Sequence, residues 1–240
     1  MGDRVTVDSN RLLASGLERL GYEPSRHQLA QLDRFIGEIE LWNPRLKLVG
    51  ASGDELVVRH VLDSVSGPPA IRRFEASGRS VAPGSSPGLA RPAWPRAARI
   101  ADLGSGAGFP GIPVAIMEPD TRVVLVERSG RRAGFLRNAA AATGLANVEV
   151  RECALEEYED AVDLAVYRAL LPLSSRLLLS LRRIVRDGGI IVAYKARRSR
   201  IESEIEDLRR SGMAGGFEPL IVPVEVPFLD EERHLLIIPG

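Results

Sequence analysis

The sequence predicts an α/β fold, a doubly wound domain with a seven-stranded, mainly parallel sheet, carrying an N-terminal helical extension. Three observations predict it. From residue 98 onward, short β-rich runs alternate with stretches of helical period, the mark of βαβ units. A glycine-crowded turn, "DLGSGAGFPGIP", directly follows the first of those runs. Residues 8–76 instead place apolar residues three and four apart, the spacing of amphipathic helices.

Within the extension, Leu12, Leu13, Leu17 and Leu20 mark one helical stripe, and Leu29, Leu32, Phe35, Ile36 and Ile39 a second. Ser25 followed by Gln28 fits a capping box opening the second helix. A third helix begins near Asp54 and carries "ELVVRHVLDSV". Its Arg59, His60 and Asp63 read as the joint between extension and sheet, because a helical histidine between valines is more often a hydrogen-bonded interface residue than a base. Residues 77–98, "SGRSVAPGSSPGLARPAWPRAA", lack any period and read as a flexible linker.

Strands are expected at Arg99–Leu103, Val123–Glu127, Val148–Arg151, Val162–Tyr167, Gly189–Tyr194, Leu220–Val226 and His234–Ile238, with helices near 111–117, 130–143, 172–186 and 199–211. No helix separates the last two strands, so the sheet closes in a hairpin with one antiparallel strand. The chain divides into a helical extension (1–76), a linker (77–98) and an α/β domain (99–240).

Composition narrows the function. With 45% hydrophobic and 27% charged residues this is a globular chain, and no apolar run is long enough to span a bilayer. The N-terminus mixes acids into its first turns, so no signal peptide and a cytoplasmic location are expected. A single cysteine, Cys153, forms no internal disulfide. Three scattered histidines give no metal-ligand spacing, so no metal is expected. The 32 basic residues balance 32 acidic ones, so any contact with nucleic acid comes from a local patch. Only Lys47 and Lys195 are lysines, which tilts Lys195 towards function.

The window Gly106–Gly111 formally satisfies G-x-G-x-x-G, a weak dinucleotide signal. Two features oppose a pyrophosphate. Pro110 and Pro113 have no N–H to offer it, and the charge of Asp102, just before the first glycine, would repel it. An acid followed by Gly104-x-Gly106-x-Gly108 is instead the pattern that receives S-adenosyl-L-methionine, whose ammonium and sulfonium suit a carboxylate. Glu127, 23 residues after Gly104 at the end of the next strand, is placed to accept both ribose hydroxyls of either ligand.

Taken together, "WNPRLKLVG", "VVRHVLDSV", "DLGSGAGFPGIPVA", "RSGRRAGFLRNAAAATGL", "ALEE", "YRAL", "YKA" and "ERHLLII" resemble the RsmG (GidB) family, from about residue 35 to the C-terminus. The resemblance implies a Rossmann-like class I S-adenosylmethionine-dependent methyltransferase that N7-methylates one guanine of small-subunit (16S) rRNA near the decoding centre. It implies that Gly104 and Phe109 border the cofactor, that Leu155 and Glu156 meet its adenine side, and that Arg168 lies beside the site. The chain departs from the pattern in its long 77–98 segment, in Tyr167 before Arg168-Ala169, and in Ala154, where many members are basic.

Guanine N7 has an in-plane lone pair and loses no proton on methylation, so catalysis reduces to positioning. Arg168 and Lys195 are the catalytic candidates, Arg168 holding the base or its phosphate. Lys195, Arg197, Arg233 and His234 are the candidates for gripping RNA, since cations neutralise phosphates. Arg168 has a structural alternative, a pair with Glu156 or Glu127. The expected partner is small-subunit rRNA or the assembling subunit, met by a monomer. Two rival functions remain: a nicotinamide-dependent oxidoreductase, which would bind NAD, and a ribosome-binding module without turnover.

Overall fold

The computed structural model describes residues 7–77, 94, 97–212 and 219–240, so most of the predicted linker at 77–98 lies outside the described residues. Two helices, α1 (Val7–Leu20) and α2 (Arg26–Leu46), open the chain. The capping box closes as its chemistry requires: the Gln28 N–H donates to Ser25 Oγ, and the Ser25 N–H donates to Gln28 Oε1. Leu13, Leu17 and Leu20 of α1 and Leu32, Phe35, Ile36 and Ile39 of α2 are buried.

The predicted third helix is a composite. It begins as α3 (Gly53–Leu56), widens into a π-helical turn at Val57–Leu62 and continues as α4 (Asp63–Ala76). Pro68 and Pro69 lie inside α4. Each removes an N–H and frees the carbonyl four residues back, and both freed carbonyls find distant donors. Ser64 O accepts from Tyr194 Oη at 2.9 Å, and Val65 O from Tyr22 Oη at 3.0 Å. Gly67 permits the close approach: a Cβ there would lie 2.2 Å from Tyr194 Oη.

Seven strands, β1 (Arg99–Leu103), β2 (Arg122–Val126), β3 (Val148–Arg151), β4 (Val162–Arg168), β5 (Val185–Lys195), β6 (Leu220–Pro223) and β7 (His234–Pro239), form one sheet in the order β3-β2-β1-β4-β5-β7-β6. The pairs within β1–β5 are parallel, and β7 runs antiparallel to both β5 and β6, the expected closing hairpin. Four further helices, α5 (Gly111–Met117), α6 (Gly130–Thr143), α7 (Ser175–Ile184) and α8 (Arg198–Arg210), complete the Rossmann-like arrangement. The helix expected at 172–186 is shorter, Ser175–Ile184, and two strand boundaries differ from expectation by more than one residue. β5 starts at Val185, because Val185 still pairs with Val162 before the register shifts to Leu164–Ile190. β6 stops at Pro223, which has no N–H for the ladder.

The period-2 alternation of the strands divides two cores. Ile100, Leu164, Val166, Ile190 and Val192 face the extension, α5 and α6. Ala101, Leu103, Val124, Ala165 and Ile191 face α7 and α8. Leu17, Phe35, Ile39 and Val61 belong to the same continuous core as the first sheet face, so the extension is a third layer on that face. No described helix is long and apolar enough to cross a membrane.

Tyr194→Phe should leave the buried Ser64 carbonyl without a donor and lower the unfolding free energy by about 1–3 kcal/mol, with an unchanged denaturant slope in urea titrations.

Candidate active site

The glycine loop leaves β1 with its donors turned inward. The N–H groups of Gly104 and Ser105 both donate to Val126 O, at 2.9 and 3.1 Å, and Gly108 N–H donates to Ser105 O at 2.7 Å. Gly106 N–H donates to Glu127 Oε2 at 3.0 Å. These four donors are unavailable to a phosphate, which agrees with the prolines' testimony against a pyrophosphate cradle. Gly104, Gly106 and Gly108 all have left-handed backbones, φ +69°, +55° and +88°, the conformations glycine tolerates. The Phe109–Pro110 bond is cis. Gly111 is required for a different reason: a Cβ there would sit 2.7 Å from Asp102 Oδ2 and 2.3 Å from Leu125.

Asp102 is wholly buried behind this loop. Its Oδ2 accepts from the Gly111 N–H at 3.0 Å, while its Oδ1 has no hydrogen-bond partner among the described residues. Burial pushes the carboxyl up to about 7 against the pull of the Gly111 bond.

At the C-terminal ends of β1, β2 and β4 lies a cleft of about 470 Å³, within the roughly 300–1,000 Å³ of small-molecule sites. Gly104, Glu127, Cys153, Leu155, Glu156 and Leu170 are among its walls. Glu127 is held rigidly, its Oε1 accepting from the Ser129 N–H at 2.8 Å as its Oε2 accepts from Gly106. Each oxygen retains a lone pair for a ligand hydroxyl. Leu155 and Glu156 reach the cleft from a 3₁₀ turn, Leu155–Glu157. Glu127 can only accept, which suits ligand hydroxyls, and the other walls are mixed: Arg128, Arg132 and Arg176 line the cleft together with Glu156 and the apolar Leu155, Leu170 and Leu177.

A second cavity, about 730 Å³, opens between the extension and the ends of β4 and β5. The π turn delivers its first wall. Asp63 Oδ2 accepts from Arg168 Nη1 at 2.8 Å, and its Oδ1 pairs with Arg233 Nε at 3.4 Å. Arg168 Nη1 also donates to Arg59 O at 3.1 Å, and its Nη2 meets His60 Nδ1. Burial first, then the Arg168 charge, lowers His60 to about 3, so its ring is neutral and accepts from Arg168. Burial pushes Asp63 upward, and Arg168 and Arg233 oppose that shift. On the opposite wall Lys195 Nζ pairs with Glu204 Oε2 at 2.6 Å. Five cationic side chains and three carboxylates line the described pocket, which favours an anionic ligand.

Residues 89–236 match the family described as GidB, rRNA small subunit methyltransferase G. The Ribosomal RNA small subunit methyltransferase G of Treponema pallidum is 34% identical over 250 residues, covering 98% of this chain and 96% of its own. The chain belongs to the GidB family. The namesake enzyme of Polynucleobacter asymbioticus is 32% identical over 232 residues, covering 95% of this chain and 94% of that relative. Among solved structures, Aeropyrum pernix fibrillarin in complex with S-adenosyl-L-methionine is similar at 18% identity and TM-score 0.46, over 60% of this chain and 66% of that one.

On this GidB chain the predicted site residues sort themselves. Gly104, Glu127, Leu155 and Glu156 wall the cleft, with Asp102, Gly106 and Gly108 in or behind the loop that shapes it. Phe109 does not line the cleft. Its ring packs against Phe35 and His60, with centroids at 5.3 and 5.1 Å, and lies under the Arg168 guanidinium. Arg168 lines the second cavity, and neither suggested acid is its partner: Asp63, 105 residues away, takes that place. His234 is buried at the start of β7, with its Nδ1 in a hydrogen bond to Ala196 O. Lys195 and Arg233 line the cavity, whereas Arg197, at the head of α8, faces a separate surface depression. Sequence reasoning missed Glu204 and the pair Leu170-Leu171; two consecutive leucines just past a predicted strand end were the available signal. Among the described residues no cluster of three or more His, Cys, Asp or Glu is placed to hold a metal.

Two outcomes follow from the buried groups. Asp63→Asn should cost about 3 kcal/mol of stability by leaving the buried Arg168 guanidinium without its counter-charge and Arg233 with Glu231 alone, while affinity for S-adenosyl-L-methionine by calorimetry stays within a factor of two. The raised Asp102 means the folded chain keeps a proton that the unfolded chain releases, so this group's contribution to stability falls as pH rises from about 4 to 7. His60, lowered to about 3, acts oppositely, and its contribution is lost as pH falls from about 6.5 towards 3. Urea titrations across pH should show Asp102→Asn removing the first slope and His60→Gln the second.

Proposed function

We propose that this chain transfers a methyl group from S-adenosyl-L-methionine to N7 of one guanine in small-subunit rRNA near the decoding centre. It acts in the cytoplasm as a monomer, on the RNA or on the assembling subunit. The observation that carries the reading is the seam between the cavities: Ala169, Leu170 and Leu171, all aliphatic, are the described residues common to both. A seam without a titratable side chain suits an acceptor that surrenders no proton, and guanine N7 is one. Membership of the GidB family supports the rRNA substrate.

In this reading Glu127 accepts the ribose hydroxyls, Leu155 and Glu156 flank the adenine, and Gly104 leaves room for the methionine end. When bound, S-adenosyl-L-methionine supplies a methyl carbon on a cationic sulfur that departs as a neutral thioether. Arg233 and Lys195 hold RNA phosphate, for which their charges are suited. Arg168 has most of its donors occupied, so it orients the pocket wall on which the base rests. The guanine gains the positive charge, and the Asp63 carboxylate moderates the field of the surrounding guanidiniums.

The test is transfer of labelled methyl to small subunits from cells lacking this protein, with the product mapped by chain cleavage at N7-methylguanine. One labelled guanine near the decoding centre is expected. Cofactor binding without transfer to subunits or naked rRNA would refute the acceptor. Arg233→Ala should raise KM for subunits by about tenfold, the loss of roughly one phosphate contact, with kcat within a factor of three.

A further inference from the structure

The two cavities meet at the loop leaving β4, where Ala169 takes a left-handed backbone, φ +52°, uncommon for a residue with a side chain. That turn sends Leu170 across the glycine loop: a Cβ on Gly104 would lie 2.3 Å from Leu170 Cδ1, so the leucine rests on the bare Cα of the first glycine. Leu170 is half-buried against the core beneath α7 and borders both cavities. Leu171 beside it is 61% exposed, a large apolar residue at the common mouth.

We propose that Leu170 is a positioning residue for methyl transfer: it forms the aliphatic partition between cofactor and acceptor, excludes water from the transfer path and sets the approach of the acceptor atom. The inference rests on the methyl-transfer reading above. Its physical basis is the narrow geometry of in-line transfer, in which a misplacement of about 1 Å costs on the order of a hundredfold in rate. An aliphatic partition also withholds hydrogen bonds from the acceptor lone pair, leaving it unsolvated for attack. Polar side chains are plentiful in both cavities and absent from this seam.

The experiment compares the full-length chain with Leu170→Ala and Leu170→Met. Leu170→Ala should lower kcat for subunit methylation by about 30-fold or more, with KM for subunits and the calorimetric Kd for S-adenosyl-L-methionine each within a factor of about three. Leu170→Met, of similar volume, should recover most of the rate. A wild-type kcat in Leu170→Ala overturns the partition, and so does a parallel loss of cofactor affinity, which would make Leu170 merely a wall of the cofactor cleft. Should the unaltered chain methylate neither subunits nor rRNA, the acceptor reading fails separately. The partition is then judged by maleimide alkylation of Leu170→Cys in a Cys153→Ser background: slowing by saturating S-adenosyl-L-methionine together with unchanged calorimetric affinity of Leu170→Ala for it supports the partition, and an unchanged rate or a loss of that affinity overturns it.

Discussion

The carboxylate of Asp63, held between Arg168 and Arg233, is the interaction on which the rest of the site depends. It joins three parts of the chain: the extension, the end of β4 and the approach to β7. A buried carboxylate with one guanidinium would be an expensive feature, and with two plus the Arg59 carbonyl and the His60 ring it becomes a satisfied network. The π turn has its explanation here. Single-turn π-bulges are frequent at functional sites, and this one presents Arg59, His60 and Asp63 together at a strand end.

The helical extension is therefore a wall of the second cavity as well as a cover for the sheet. Its apolar residues share one core with the sheet face. Its prolines leave carbonyls that Tyr194 and Tyr22 must fill, which ties the extension to β5 as well. Phe109 completes the contact from the glycine loop, with Phe35 and His60 on the extension. The second cavity and the glycine loop thus share a single scaffold.

Both cavities carry more cationic side chains than carboxylates among their described walls. In the cleft, Glu127 is fixed as an acceptor by two backbone N–H groups and shares the walls with Glu156, Arg128, Arg132 and Arg176, while Asp102 lies buried behind the glycine loop. The neighbouring pocket is predominantly cationic. Between them stands a seam of aliphatic residues. Where the two cavities meet, the described side chains offer no group able to move a proton.

The sequence alone determined what local rules control: the helical stripes, the capping box, the strand alternation, the closing hairpin and the glycine loop. Those features depend on backbone conformation and on residues a few positions apart. Asp102 and Glu127 were legible for the same reason, since each stands at a fixed offset from a strand end. Only the tertiary structure decided that Arg168 pairs with Asp63, that His234 is buried, that Phe109 belongs to the interface and that Leu170 crosses Gly104. Each of those outcomes joins elements far apart in the chain, and which of several plausible partners a long side chain meets is settled by packing and desolvation, quantities that no local pattern encodes.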